Sequence, residues 1–316
     1  MKHGLILVLL LLAGTVRAEP PVLGWPVDCG VEQGCRPVNY VDHDPSPERR
    51  DFGCGRLAMD DHKGVDFALP GIRAMAEGHW VLAAAPGTVR GVRDEVVDAQ
   101  PFPKGKECGN GVLIDHGDGW TTQYCHLALA SLQVRPGQRV KEGEVLGLVG
   151  LSGQTEYPHV HFQVAHKGTV VDPFLGEAPS PSTCGIGPKS LWNPALVKAL
   201  AYQPIQFYRV GFATESPTKA KTRAGDYDTV APVSTAPLVL WAEVFGLKTG
   251  DRLNLRLLGP DGQEWASSDT VMEKSNLTFF AFAGRKSPRP GRHHGLVRVV
   301  RAEGGEFETT REIEVK

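Results

Sequence analysis

Beyond its first eighteen residues this 316-residue sequence has no apolar run approaching the roughly 20 residues that a membrane-spanning helix requires, so the mature chain is expected to have no membrane span. No two of its six cysteines stand at the C-x-x-C spacing of a thiolate metal site. Charge of one sign is lacking too: with Lys2 and Arg17 set aside, 32 basic residues face 36 acidic ones, a net charge of about −4, and nothing in that balance points to nucleic acid. No long amphipathic helical pattern interrupts the central part of the chain, which leaves short strands as the material of the fold.

What is present begins with a leader. Lys2, the apolar run Leu5 to Ala13 and Val16-Arg17-Ala18 read as a secretory signal peptide over residues 1–18, with the mature chain starting near Glu19. No cysteine stands at the cut, so a lipoprotein anchor has no attachment atom, and the protein is expected in the periplasm or outside the cell. Cys29, Cys35, Cys54, Cys108, Cys125 and Cys184 all follow the leader, and an even count in an exported chain favours disulfides. Cys108 and Cys125 flank one hairpin and are expected to pair. The others are read as Cys29 with Cys35 and Cys54 with Cys184.

The chain divides by composition. Residues 19–59, rich in Pro, Asp and Cys, read as a loop-rich lead-in pinned by disulfides. Residues 60–175 alternate in short runs such as Gly111–Asp115, Thr121–His126 and Val160–Val164, separated by turn signals at His116–Gly119, Arg135–Gln138 and Lys141–Glu144. An all-β, glycine-rich antiparallel domain is the expectation. Residues 176–204 form a linker with a short helix over Asn193–Leu200, started by Pro194. In residues 205–316 Leu253, Leu255 and Leu257 share one face, and turns at Pro260–Gly262 and Gly304-Gly305 suggest a small immunoglobulin-like β-sandwich. It contains no candidate site residue and is expected to be dispensable for chemistry.

Three patches combine histidine with acid or polar neighbours. In His62-Lys63-Gly64-Val65-Asp66 a strand starting at Val65 presents Asp66 on its polar side, and Gly64 permits a tight turn that swings His62 back. In His159-Val160-His161-Phe162-Gln163-Val164 alternation puts both histidines on one face. In Thr122-Gln123-Tyr124-Cys125-His126 the same rule groups Thr122, Tyr124 and His126. Two histidines and a carboxylate leave a zinc ion one open position for water, while further histidines can handle the proton or the oxyanion. His43, His79, His116, His166, His293 and His294 have no second ligand at useful spacing and are read as structural or surface residues.

Four segments, HKGVD (His62–Asp66), GNGVLIDHGDGWTTQYCHL (Gly109–Leu127), VRPGQRVKEGEVLGLVGLSG (Val134–Gly153) and PHVHF (Pro158–Phe162), together resemble the lysostaphin-type (LytM-like) zinc endopeptidases over about Asp60 to Phe174. That resemblance implies one Zn(2+) per chain held by His62, Asp66 and His161, with His126 and His159 as the catalytic pair and peptidoglycan peptides as substrate. No motif histidine or aspartate is missing. Two other classes compete: a non-catalytic wall-binding activator, against which the intact ligand set argues, and a biotinyl- or lipoyl-carrier domain suggested by Val140–Gly143, which lacks a suitable lysine motif and leaves the histidines unexplained.

Overall fold

The computed structural model describes residues 19–98, 101–180, 182 and 184–316; the expected leader, residues 1–18, lies outside them. The regular structure of the chain is almost entirely antiparallel strand. Its first part contains β1 (Arg36–Asn39), β2 (Val65–Ala68), a one-and-a-half-turn helix α1 (Ile72–Glu77), β3 (Trp80–Leu82), β4 (Gly87–Arg93), β5 (Asn110–Gly117), β6 (Trp120–Leu127), β7 (Arg139–Val140), β8 (Val145–Leu148), β9 (His159–His166) and β10 (Thr169–Val171). Eight of these strands make one sheet in the order β1-β2-β9-β6-β5-β4-β7, with β10 also on β9, while β3 and β8 form a separate ribbon.

Alternation decides which side of the sheet is core. Val160, Phe162 and Val164 of β9 are fully buried, as are Val65 and Phe67 of β2 and Val112 and Ile114 of β5. They pack in one cluster with Val81 and Leu146 of the β3–β8 ribbon and with Leu23, Phe174 and Trp192. Such side chains contribute about 1.5–3 kcal/mol each when fully buried. The residues between them, Asp66, His159 and His161, are thereby directed to the opposite face.

The β5–β6 hairpin turns through Asp118 and Gly119, both with positive φ (47° and 84°), the signature of a type I′ turn. The turn sets Gly117 opposite Trp120, and a register shift at Asp115/Gly117 then places Gly111 opposite Cys125. Cys108 and Cys125 are joined, as are Cys29 with Cys35 and Cys54 with Cys184. The lead-in is not only loop: β1 extends the sheet by pairing with β2, Asn39 opposite Asp66. The helix expected over Asn193–Leu200 is a single 3-10 turn at Pro194–Leu196, capped by the Asn193 side chain on the Ala195 N–H.

The second part contains β11 (Gln206–Ala213), α2 (Lys219–Ala224), β12 (Leu238–Leu247), β13 (Arg252–Leu258), β14 (Glu264–Val271), β15 (Asn276–Arg285), β16 (Gly291–Val300) and β17 (Glu306–Val315). A three-stranded sheet, β11-β12-β15, faces a four-stranded one, β14-β13-β16-β17. Leu240, Ala242, Val244, Leu253, Leu255, Leu257, Val297 and Val299 fill the space between. This sandwich packs on the first sheet: Phe245 joins the first core, the Tyr208 hydroxyl donates to Leu69 O (3.0 Å), and Gln206 Nε2 donates to Pro37 O (2.8 Å).

Candidate metal centre

The site is built on one row across four strands. Asn39 on β1 lies opposite Asp66 on β2, Asp66 opposite His161 on β9, and His161 opposite Cys125 on β6. Residues directly opposite in a sheet share a face about 5 Å apart, so the pairing alone brings the carboxylate and one imidazole together. His62 enters from the loop before β2, where Asp61 carries the positive φ (59°) of the turn. Gly64 is needed for space rather than for the turn, since a Cβ there would stand 2.6 Å from Phe162 O and 2.7 Å from His161 Nε2.

Among the described residues one group of metal-ligating side chains converges, namely His62, Asp66 and His161. His62 Nε2 is 3.1 Å from Asp66 Oδ1 and 3.0 Å from His161 Nδ1, and that Nδ1 is 2.9 Å from the same Oδ1. The His62 Nδ1 donates to Tyr40 O (2.7 Å), and because a carbonyl can only accept, Nε2 of the neutral ring carries a lone pair. Asn39 Nδ2, 3.1 Å away, can donate to that lone pair, and a proton or a metal ion at the shared point would relieve its repulsion with Asp66 Oδ1. With bonds of about 2.0–2.2 Å a tetrahedral ion spaces its donors by roughly 3.3–3.6 Å, so this triangle needs to open by only a few tenths of an ångström. The donor set and its size fit zinc.

The surroundings hold these donors in place. Asn39 Nδ2 donates to Asp66 Oδ2 (2.8 Å), leaving Oδ1 for the shared point. Burial opposes the charge of Asp66, but the adjacent His62, His159 and His161 rings outweigh it and hold the carboxyl well below the usual carboxylate range. Burial also works against protonation of His62, yet the adjacent Asp66 raises its pKa above that of a free imidazole.

Beside the triangle stand His159 and His126, ring centroids 4.7 Å apart. His159 Nδ1 donates to Tyr157 O (2.9 Å) and His126 Nδ1 to Ser152 O (2.8 Å), so each ring keeps its lone pair on Nε2. The His159 Nε2 is 3.5 Å from Asp66 Oδ1. Burial pushes His159 below the ordinary histidine value despite Asp66, and burial with the nearby His159 and His161 pushes His126 well below it. Burial thus favours the neutral form of both rings.

Residues 60–173 match the family model described as peptidase family M23. This segment is an M23 peptidase domain. A stretch of 111 residues is 45% identical to the cell division protein DipM of Caulobacter vibrioides, covering 35% of this chain and 16% of DipM. Another of 122 residues is 31% identical to the peptidoglycan DD-endopeptidase ShyA of Vibrio cholerae, covering 39% of this chain and 24% of ShyA. A third, of 138 residues, is 33% identical to a protein named uncharacterized metalloprotease from Haemophilus influenzae, covering 44% of this chain and 25% of that one. The chain thus spans a quarter or less of the length of these curated relatives.

Within the M23 domain one face assignment from the sequence fails. Thr122 and Tyr124 lie on the core face, where Tyr124 opposes Phe162 and its hydroxyl accepts from Ala84 N (2.7 Å). Simple alternation would send His126 there too. Instead β6 shifts register between Asn110 and Gly111, and His126 takes φ 67°, which turns its ring out to the site face. Its N–H donates to Cys108 O (2.8 Å), so the Cys108–Cys125 bridge braces the bulge.

The domain also uses residues that sequence reasoning missed. Asn39 had one available signal, a polar residue inside the otherwise apolar Val38–Val41 run. Other histidines have partners away from this site: His43 is buried, 2.5 Å from Asp172 Oδ2 and 3.1 Å from Ser180 O, and His116 bridges Pro86 O and Thr122 Oγ1. His79 pairs with Asp28, His166 stacks on Trp120, and His294 pairs with Glu312.

Proposed function

We propose that this chain is an exported zinc metallopeptidase that hydrolyses peptide cross-links of bacterial peptidoglycan, with His62, Asp66 and His161 as metal ligands and His126 and His159 as the catalytic pair. The observation that carries the reading is the triangle of three donor atoms within 3.1 Å of one another, flanked by two imidazoles whose Nε2 lone pairs are free of hydrogen. The substrate class is supported by the similarity to a peptidoglycan DD-endopeptidase. Three disulfides and the leader-like residues 1–18 support export.

The chemistry that zinc supplies in a site of three protein donors is Lewis acidity, with one coordination position left for water or substrate. His159, with its Nδ1–H held by Tyr157 O, can take a proton at Nε2 and return it to the leaving amine. His126, anchored on Ser152 O, presents its own Nε2 beside it and, once protonated, can stabilise developing negative charge. Tyr40 O and Asn39 fix the orientation of His62 and Asp66, so neither has to reorganise during the reaction.

A non-catalytic wall-binding activator is the second reading, and the intact donor triangle argues against it. Digestion of purified peptidoglycan by the full chain, with mass identification of released peptides, separates the two. His159→Ala should keep zinc and lose most turnover, whereas His161→Ala should lose both. Zinc loss in the His159 variant with retention in the His161 variant would reverse the assigned roles. A zinc-loaded wild-type protein that releases no peptides would favour the activator.

A further inference from the structure

Both imidazoles of the catalytic pair are anchored on one loop, residues 149–158 between β8 and β9. Ser152 O holds His126 Nδ1; Tyr157 O and the Thr155 hydroxyl lie 2.9 and 3.1 Å from His159 Nδ1. The Tyr157 ring also covers the His159 ring, centroids 4.7 Å apart and 31° between planes.

The far side of that tyrosine belongs to the C-terminal sandwich. Tyr208 of β11 and Phe245 of β12 stand 5.6 and 5.8 Å from it, and the Arg223 guanidinium of α2 lies 5.4 Å over the ring. Arg223 is tied down in turn. It makes an ion pair with Glu243 of β12, which is fully buried, and another with Glu156, the residue before Tyr157. Lys219, one turn earlier on α2, is 3.7 Å from Glu243 and 3.8 Å from Glu156.

We propose that Arg223 is a positioning residue for the M23 site: through Tyr157 it fixes the plane of the His159 ring, so the sandwich completes the active site instead of merely adjoining it. This rests on the hydrolase reading above and reverses the sequence-based expectation that the sandwich is dispensable. Stability alone gives little reason for the arrangement, because replacing a buried ion pair by well-packed apolar residues is often neutral or better. A cation over a ring face, by contrast, is directional and holds the ring in one plane.

The test uses the full-length, metal-loaded protein and four variants: Arg223→Ala, Arg223→Lys, Tyr157→Leu and Gln206→Ala. The last removes a different contact between sandwich and sheet, and it should lower the melting temperature without changing kcat. Arg223→Ala should keep zinc and KM but lose about tenfold in kcat, in line with a catalytic group shifted by a fraction of an ångström, and Arg223→Lys should recover most of it. Proton NMR of the His159 Nδ1–H supplies a readout independent of turnover, and its solvent exchange should quicken at least about tenfold in Arg223→Ala. Should that variant fail to fold, Tyr157→Leu must show the same kcat loss and fast exchange. Unchanged exchange and a kcat within about twofold of wild type in either folded variant would overturn the proposal. If wild type itself cleaves no wall peptide, the hydrolase reading falls, and the His159 exchange signal alone decides whether Arg223 positions the ring.

Discussion

Replacing Gly64 by Ala is the smallest change that should dismantle the proposed metal site without replacing a ligand. The added Cβ would sit 2.6 Å from Phe162 O and 2.7 Å from His161 Nε2. Ordinary contacts of this kind are near 3.4 Å, an overlap of roughly 0.7 Å on each neighbour. Phe162 O cannot retreat easily, because Val65 and Tyr124 oppose Phe162 from the strands on either side. The His161 ring is the part that can swing. Its Nδ1 lies 3.0 Å from His62 Nε2 and 2.9 Å from Asp66 Oδ1, whereas metal–ligand distances tolerate only about 0.2 Å.

A displacement of several tenths of an ångström therefore exceeds what the ion can absorb. Zinc affinity should fall by about 10–100-fold, the usual effect of disturbing the support of a ligand. The metal-free protein should lose about 1–3 kcal/mol through overpacking. Gly91→Ala is the matched control, since a Cβ there meets nothing within 4 Å in the same sheet. Competition titration against a chromophoric chelator reads the affinity, and thermal unfolding of the stripped proteins reads the strain. A Gly64→Ala protein with wild-type zinc affinity would refute the argument that this contact sets the donor triangle.

Other outcomes follow from the same geometry. Removing zinc with a chelator should lower stability by about 4 kcal/mol if the ion is present at a thousand times its dissociation constant, and re-addition should restore it; an unchanged melting curve would count against a structural contribution of the metal. Asn39→Ala frees Asp66 Oδ2, and zinc affinity should drop by about 10–100-fold, measurable by the same titration. Replacing Cys108 and Cys125 by Ser opens a loop with a sequence separation of 17 and should cost about 3 kcal/mol. Because His126 N–H rests on Cys108 O, turnover should fall further than zinc content in that variant, and equal losses would show that the bulge does not depend on the bridge.

How much of this was legible in the sequence depends on the range over which each placement is decided. PHVHF could be read because a strand's two faces follow from alternation alone, and the core side is declared by Val160, Phe162 and Val164. Asp66 was legible for the same reason, and the Cys108–Cys125 pair because a hairpin is a local object. His126 was not placed correctly, since its orientation depends on one residue adopting φ 67° where the register slips, an event that a period-two pattern cannot signal.

Asn39 stands 27 residues before Asp66 and meets it only because β1 closes the edge of the sheet, a pairing that a proline- and cysteine-rich stretch gives no periodic hint of. The support of Tyr157 lies further still, on two strands of another sheet and a helix, at Tyr208, Arg223 and Phe245. The proposed ligands stand in local motifs, because bond lengths near 2 Å demand particular atoms. The groups that aim those ligands need only supply a carbonyl, an amide or a ring face, and many sequences can do that from many places. Their identity therefore becomes visible only when the chain is folded, and the variants that test them, Asn39→Ala and Arg223→Ala, are ones the motifs alone would never have nominated.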